Sequence, residues 1–94
     1  IKGKHGYTPM HTLIRWVNDN NEESLFMLNS LINYGGDINI QSDNGCTPLH
    51  FALLFNKFNF ANELLKRPNI NLDIISHNGE TISSLIEETN FLIK

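Results

Sequence analysis

The sequence Gly45-Cys46-Thr47-Pro48-Leu49-His50 specifies a turn that leads directly into a helix. Gly45 permits the positive φ of a tight turn. The hydroxyl oxygen of Thr47 can cap a helix by accepting a free backbone N–H. Pro48 then falls at the first helical position, where its missing N–H costs nothing and its fixed φ already suits a helix.

The same pattern occurs three times in the chain. Gly6-Tyr7-Thr8-Pro9-Met10-His11 reproduces it closely, and Gly79-Glu80-Thr81-Ile82-Ser83-Ser84 is a more divergent copy. The capping threonines Thr8, Thr47 and Thr81 are separated by 39 and 34 residues. A turn and helix start that recur at this spacing predict a repeat protein.

Length, charge and cysteine content limit the class of protein. The 94 residues carry a net charge of -3 without a block of like charge, which argues against binding to nucleic acid or an anionic membrane. The longest apolar runs are too short to span a bilayer. Cys46 is the only cysteine, and the absence of an internal disulfide favours an intracellular protein, cytoplasmic or nuclear. Because the chain begins at Ile1, with no visible signal peptide, we expect it to be a fragment of a longer protein.

The first unit is predicted to contain two helices. One begins at Pro9, and the polar run 18–21 ends it because these side chains compete for backbone hydrogen bonds. The other begins at Glu22, whose charge suits a helix N-terminus, and ends at Gly35 or Gly36. The apolar stripes of the two helices are formed by Met10, Leu13, Ile14, Val17, Leu25, Leu28, Leu31 and Ile32.

The second unit repeats this plan. Its helices are predicted from Pro48 to about Phe55 and from about Phe58 to Lys66, beyond which Pro68 prevents continuation. Their inner faces are formed by Leu49, Ala52, Leu53, Phe58, Ala61, Leu64 and Leu65.

The third unit is partial, with one clear helix from Ile82 to about Glu88. Residues 37–42 and 70–76 connect successive units. Their apolar and polar side chains alternate, which predicts short extended fingers, each closed by a turn.

The turn, the Thr-Pro-Leu-His helix start, the paired helices and the repeat length together resemble the ankyrin repeat. The match covers residues 1–94, with repeat one at about 5–43, repeat two at about 44–77 and a partial repeat three at about 78–94. The resemblance implies an all-α ankyrin-repeat solenoid of stacked helix-turn-helix units with β-turn or hairpin fingers. The long first unit and residues 31–39 also look like ankyrin proteins of large DNA viruses and intracellular bacteria.

The histidines are candidates for metal binding or catalysis. The family pattern implies instead that His11 and His50 hydrogen-bond the loop backbone and the capping threonine. Four scattered histidines and one cysteine lack the spacing of metal ligands, and no carboxylate or hydroxyl stands beside a plausible base. We therefore expect no metal, no cofactor and no enzymatic activity.

The resemblance implies that the finger tips and the outer ends of the first helices line one concave face. We expect a protein partner to bind this face through aromatic anchors such as Trp16 and Phe55, which occupy equivalent positions in adjacent units. Burial of Trp16 in the groove between units is the alternative. The residues implied for this face are Lys4, His5, Tyr7, Arg15, Trp16, Asp43, Asn44, Cys46, Leu54, Phe55, His77, Asn78, Glu80, Glu88 and Thr89, with Cys46 at an exposed tip.

Other roles remain open. The chain could be a passive spacer, or the substrate-recruiting arm of a larger enzyme or ubiquitin-ligase adaptor. Asn39 resembles the ankyrin positions that an asparaginyl hydroxylase modifies, with a turn-stabilising role as the alternative. Apolar residues at the open ends of the stack predict continuation of the chain or self-association; these are Ile1, Phe91, Leu92 and Ile93.

Overall fold

The computed structural model describes residues 6–35 and 37–89, and the regular elements in these ranges are five α-helices. Unit one contains α1 and α2, unit two contains α3 and α4, and unit three contains α5. The helices are α1 Pro9–Trp16, α2 Glu22–Asn33, α3 Pro48–Leu54, α4 Phe58–Leu65 and α5 Ile82–Thr89. Each predicted helix is present, which confirms the all-α repeat architecture.

The helices form two layers. In the inner layer, α3 packs between α1 and α5; in the outer layer, α2 packs against α4. The predicted stripes meet in one apolar core that runs through the units, so stacking buries what a single helical pair would leave exposed. Its fully buried side chains include Ile14, Leu28, Leu49, Leu53, Phe60 and Leu64.

The prediction for α4 left out its most buried aromatic side chain, while the predicted Phe58 packs against the core. Phe60 of α4 is completely buried, whereas Phe58 is only partly buried. Phe58 is the first residue of α4, and the buried face of this helix is formed by Phe60, Ala61 and Leu64. The fully buried positions of α4 therefore begin at Phe60, two residues after the first residue of the helix.

Both complete units begin with a reciprocal cap, as the family pattern implied. The Thr47 hydroxyl oxygen accepts the His50 backbone N–H at 3.3 Å, and the His50 Nδ1 accepts the Thr47 N–H at 3.2 Å. Thr8 and His11 make the same pair of bonds in unit one. In unit three, Ser84 takes the histidine position, and its hydroxyl accepts the Thr81 N–H at 3.2 Å.

The histidines also join each unit to the next. His11 Nε2 lies 2.8 Å from the carbonyl oxygen of Cys46, and His50 Nε2 lies 3.2 Å from that of Glu80. Because a carbonyl oxygen only accepts, each Nε2 carries the proton and donates, which leaves Nδ1 free to accept from the cap. The neutral ring with hydrogen on Nε2 is thus the form that the fold requires.

Acidification is therefore expected to weaken the fold through His50. Burial lowers the pKa of His50 from its ordinary value of 6.5. The unfolded chain then binds the proton more readily than the folded one, so the free energy of unfolding falls as the pH drops below about 6.5. Urea unfolding from about pH 7.5 to about pH 5 measures this effect. His50→Gln should reduce both the stability at neutral pH and the slope with pH; an unchanged slope would exclude His50 as the source.

Each finger contains a turn near its beginning, which corrects the prediction of fully extended segments for residues 37–42 and 70–76, and each is closed by the predicted tight turn. The Ile40 N–H donates to the Asp37 carbonyl at 3.2 Å, so the segment begins with a turn. A tight turn at Gly45 follows, with a 2.8 Å bond from the Ser42 N–H to the Cys46 carbonyl. Residues 76–80 repeat this turn in the next unit, where φ of Gly79 is again positive.

Two further side chains, Asp19 and Lys57, hold units one and two together where their helix ends meet. The Asp19 carboxylate accepts the Asn59 N–H at 2.8 Å and the Phe60 N–H at 3.4 Å, both in the first turn of α4. The residue before α4, Lys57, provides no side-chain cap. Its ammonium group instead donates to the Ile14 and Val17 carbonyls at the end of α1, at 2.9 and 2.8 Å. Each unit thus caps a helix of the other.

Candidate functional site

The inner layer carries a cluster of rings around one arginine. Arg15 lies in the last turn of α1, and its guanidinium carbon is 4.6 Å from the ring centroid of Trp16 and 4.4 Å from that of Phe55. At these distances each cation–π contact is worth about 0.5–1 kcal/mol when exposed. Arg15 therefore bridges the two equivalent aromatic positions of adjacent units.

The cluster is open to solvent. Trp16 is 69% exposed and Phe55 is 37% exposed, next to Leu54 at 38%. The structure thus decides between the two alternatives for Trp16: its side chain is not part of the core between the units. An exposed tryptophan held by a neighbouring cation presents a large apolar surface in a restrained position.

The buried ring of Phe51 packs against this cluster, and the sequence analysis did not predict that it would contribute. Its ring is only 5% exposed and meets the rings of Phe55 and Tyr7 edge-on, with centroid distances of 5.5 and 5.1 Å. Tyr7 is partly buried by this packing and also stacks on His11 at 5.9 Å. Phe51 and Phe55 are four residues apart, a spacing that places two side chains on one helix face and could have revealed the pair.

The finger tips of units two and three form a second part of the predicted face. The His77 N–H donates to the Asn44 carbonyl at 2.8 Å, which joins successive tips. Asp43, Asn44, His77 and Asn78 are exposed. Glu80 is partly buried, and its carboxylate accepts from the Ser76 hydroxyl at 3.2 Å.

Cys46 corrects the prediction of an exposed tip. Its side chain is 5% exposed because the bond from His11 to its carbonyl holds this turn against unit one. Burial, with a smaller contribution from the negative charge of Glu80, raises the pKa of the Cys46 thiol. The side chain is therefore a small core residue in its thiol form rather than a surface contact.

The remaining residues predicted for the face lie in unit three or outside the described residues. In unit three, Glu88 is exposed, while the Thr89 hydroxyl donates within its own helix to the Leu85 carbonyl at 2.8 Å. Lys4 and His5 lie outside the described residues, as do the apolar termini Ile1 and 91–93.

The Asn39 side chain ties neighbouring loops together. Its Nδ2 donates to the Asn69 carbonyl at 2.9 Å, and its Oδ1 accepts the Asn71 N–H at 2.8 Å. Both ends of the amide are thus used in a contact between units. Its modification by a hydroxylase stays a prediction.

A separate apolar groove of about 670 Å³ lies on the outward face of unit one. Pro9 and Thr12 are exposed there, whereas the corresponding Pro48 and Phe51 of unit two are buried. The groove is thus on the side of unit one that faces away from unit two. Self-association was predicted through the chain ends Ile1 and 91–93, which lie outside the described residues, and it stays a prediction. The exposed apolar side chains of the groove are Phe26, Met27 and Tyr34.

Within residues 6–35 and 37–89, histidine, cysteine and carboxylate groups do not come together in a set of three suited to a metal ion. The helices of the same ranges are too short or too polar to cross a membrane.

Comparison with known proteins gives three matches. A family model for ankyrin repeats (many copies) matches residues 10–65. A segment of delta-latroinsectotoxin-Lt1a from Latrodectus tredecimguttatus is 41% identical over 69 residues, which cover 70% of this chain and 6% of that protein. An ankyrin repeat-containing protein of Schizosaccharomyces pombe is 29% identical over 84 residues, which cover 89% of this chain and 36% of that protein. The chain thus spans a minor part of either relative.

Proposed function

Because this chain belongs to the ankyrin repeat family, whose members generally mediate protein–protein interaction, we propose that it binds a protein partner through the concave ring cluster. We define this cluster as Arg15, Trp16, Leu54 and Phe55. The observation that carries the proposal is the position of the Arg15 guanidinium against two rings that remain exposed. Members of the family are typically not catalytic, and we propose no reaction for this chain.

The cluster has the physical properties of a binding anchor. Tryptophan and arginine are enriched among the residues that dominate binding energy, because they bury a large area on association. The cost of ordering a side chain on binding is about 0.5–1.5 kcal/mol, and a ring already held by its neighbours avoids part of it. Phe51 beneath Phe55, and Arg15 between Phe55 and Trp16, provide that restraint.

Affinity capture from a lysate of the source cells tests the proposal. We expect wild-type protein to retain a partner that the Trp16→Ala/Phe55→Ala double variant does not retain. Leu72→Ala is the matched control, because Leu72 is a large exposed apolar residue, 46% accessible, in a loop outside the cluster. Circular dichroism should show that all three proteins keep their helical content.

One of the two other roles gives a different result in this experiment. A passive spacer predicts that wild type and double variant recover the same proteins, which would overturn the proposal. A substrate-recruiting arm of an enzyme predicts the same loss of capture as a simple binding module. It differs only in the parent protein, which would carry a catalytic or adaptor segment outside these residues.

A further inference from the structure

We propose that Arg15 binds a carboxylate of the partner, so that the concave ring cluster selects a segment in which an aspartate or glutamate is next to an apolar side chain. This inference rests on the proposed function and specifies the chemistry of the partner. Three features of the structure support it. The first is that the Arg15 guanidinium has no polar partner within the described residues, the second is the charges near it, and the third is the rings that flank it.

The guanidinium of Arg15 has no polar partner among the residues that the structure describes. The one ion pair in those ranges joins Lys66 to Glu63, and the hydrogen bonds there do not involve the Arg15 side chain. Arg15 is nevertheless partly buried by the rings of Trp16 and Phe55. An arginine offers five N–H donors that must find acceptors, and a partner that covers this cluster would have to supply them.

A second positive charge lies at the same end of α1. The Lys57 ammonium is 2.8 Å from the Val17 carbonyl and 3.4 Å from the Arg15 carbonyl. The nearby Asp19 carboxylate is occupied by the N–H groups of α4. The acidic positions of the fingers, Asp43 and Glu80, instead adjoin the beginnings of helices α1 and α3. Glu88 occupies the position of α5 equivalent to Arg15, so unit three carries a negative charge at this end of the face. The charged group in contact with Trp16 and Phe55 is the Arg15 guanidinium, and this part of the face, in units one and two, therefore favours a negative group.

The flanking rings favour a carboxylate that comes with an apolar neighbour. A guanidinium is planar and can donate two parallel N–H bonds to a carboxylate, a geometry that lysine does not provide. Contacts with two rings restrict its orientation before binding. The exposed faces of Trp16 and Phe55 then provide an apolar surface beside it for an aliphatic or aromatic side chain of the same segment.

Selection from a displayed library of random linear peptides tests this inference and does not require the natural partner to be identified. Wild-type protein should enrich peptides with an aspartate or glutamate within one or two positions of an apolar residue. Arg15→Gln should lose the acidic preference, and Arg15→Lys should recover it only in part. A selected peptide should bind wild-type protein about tenfold more tightly than its Gln or Asn analogue. Arg15→Gln should bind both equally.

The outcomes separate this inference from the proposed function. Peptides that need Trp16 and Phe55 but show no acidic preference would overturn the carboxylate proposal and leave the binding face intact. Peptides that bind the Trp16→Ala/Phe55→Ala variant as well as wild type, or a selection that enriches no peptide, would count against both. Weaker binding of the acidic peptide at high salt, with the neutral analogue unaffected, is the further result expected from a charge contact.

Discussion

Gly45→Ala is expected to lower the free energy of unfolding by about 2–4 kcal/mol, a large share of the stability of a small domain. Two effects combine at this position. The φ of Gly45 is 80°, a conformation that costs an alanine about 1–2 kcal/mol. A Cβ there would also lie 2.9 Å from the backbone nitrogen of His77 and 2.7 Å from its ring. The fingers of units two and three would have to separate to admit it.

Gly79→Ala provides the matched control, because it introduces the strain of a positive φ without a clash between the new Cβ and a neighbouring finger. Gly79 occupies the same position of the next turn, with a φ of 83°, and a Cβ there would meet nothing within 4 Å. We expect a loss of about 1–2 kcal/mol, measured for both variants by urea unfolding. Equal losses would show that the approach of neighbouring fingers contributes nothing to the stability of the stack.

Asp19→Ala is expected to lower the free energy of unfolding by about 2–3 kcal/mol. Asp19 is 7% exposed and its carboxylate accepts two N–H groups of α4, so its removal leaves one partly buried and one buried donor without this partner. Those donors belong to the other unit, and the loss should therefore appear in the coupling between units. Amide hydrogen exchange should become faster at Asn59 and Phe60.

Asn21→Ala is the control for this prediction. The Asn21 side chain caps α2 within its own unit, where it accepts the Ser24 N–H at 2.8 Å. Its loss should cost about 1 kcal/mol and leave exchange in α4 unchanged. If Asp19→Ala destabilised the protein no more than Asn21→Ala does, the cap between units would not be a significant part of the interface.

Local chemistry made most of the fold predictable. The helix starts at Pro9 and Pro48 follow from a threonine and a proline at fixed positions, and the breaks after α2 and α4 follow from glycine and proline. The roles of His11 and His50 came from the family resemblance. Helix ends and caps are decided by residues within one turn, which is why they can be predicted from a short stretch of sequence.

Contacts between units could not be predicted from local sequence, because they join residues that are far apart along the chain. The polar run around Asp19 correctly predicted the end of α1, but the chain gives no local sign that Asp19 caps a helix 40 residues later. Burial of Cys46 has the same origin, since the histidine that anchors its turn comes from the preceding unit. The restraint of Trp16 by Arg15, next to Phe55 of the other unit, likewise requires the stacked helices.

The affinity of the isolated partner for this chain, measured by titration calorimetry, shows whether the concave ring cluster is the binding face. We expect the Trp16→Ala/Phe55→Ala variant to bind about 100-fold more weakly than wild type, because each ring is a candidate hot spot worth about 2 kcal/mol and such losses are seldom fully additive. Leu72→Ala should bind as wild type does. A double variant with the affinity of wild type would contradict the account.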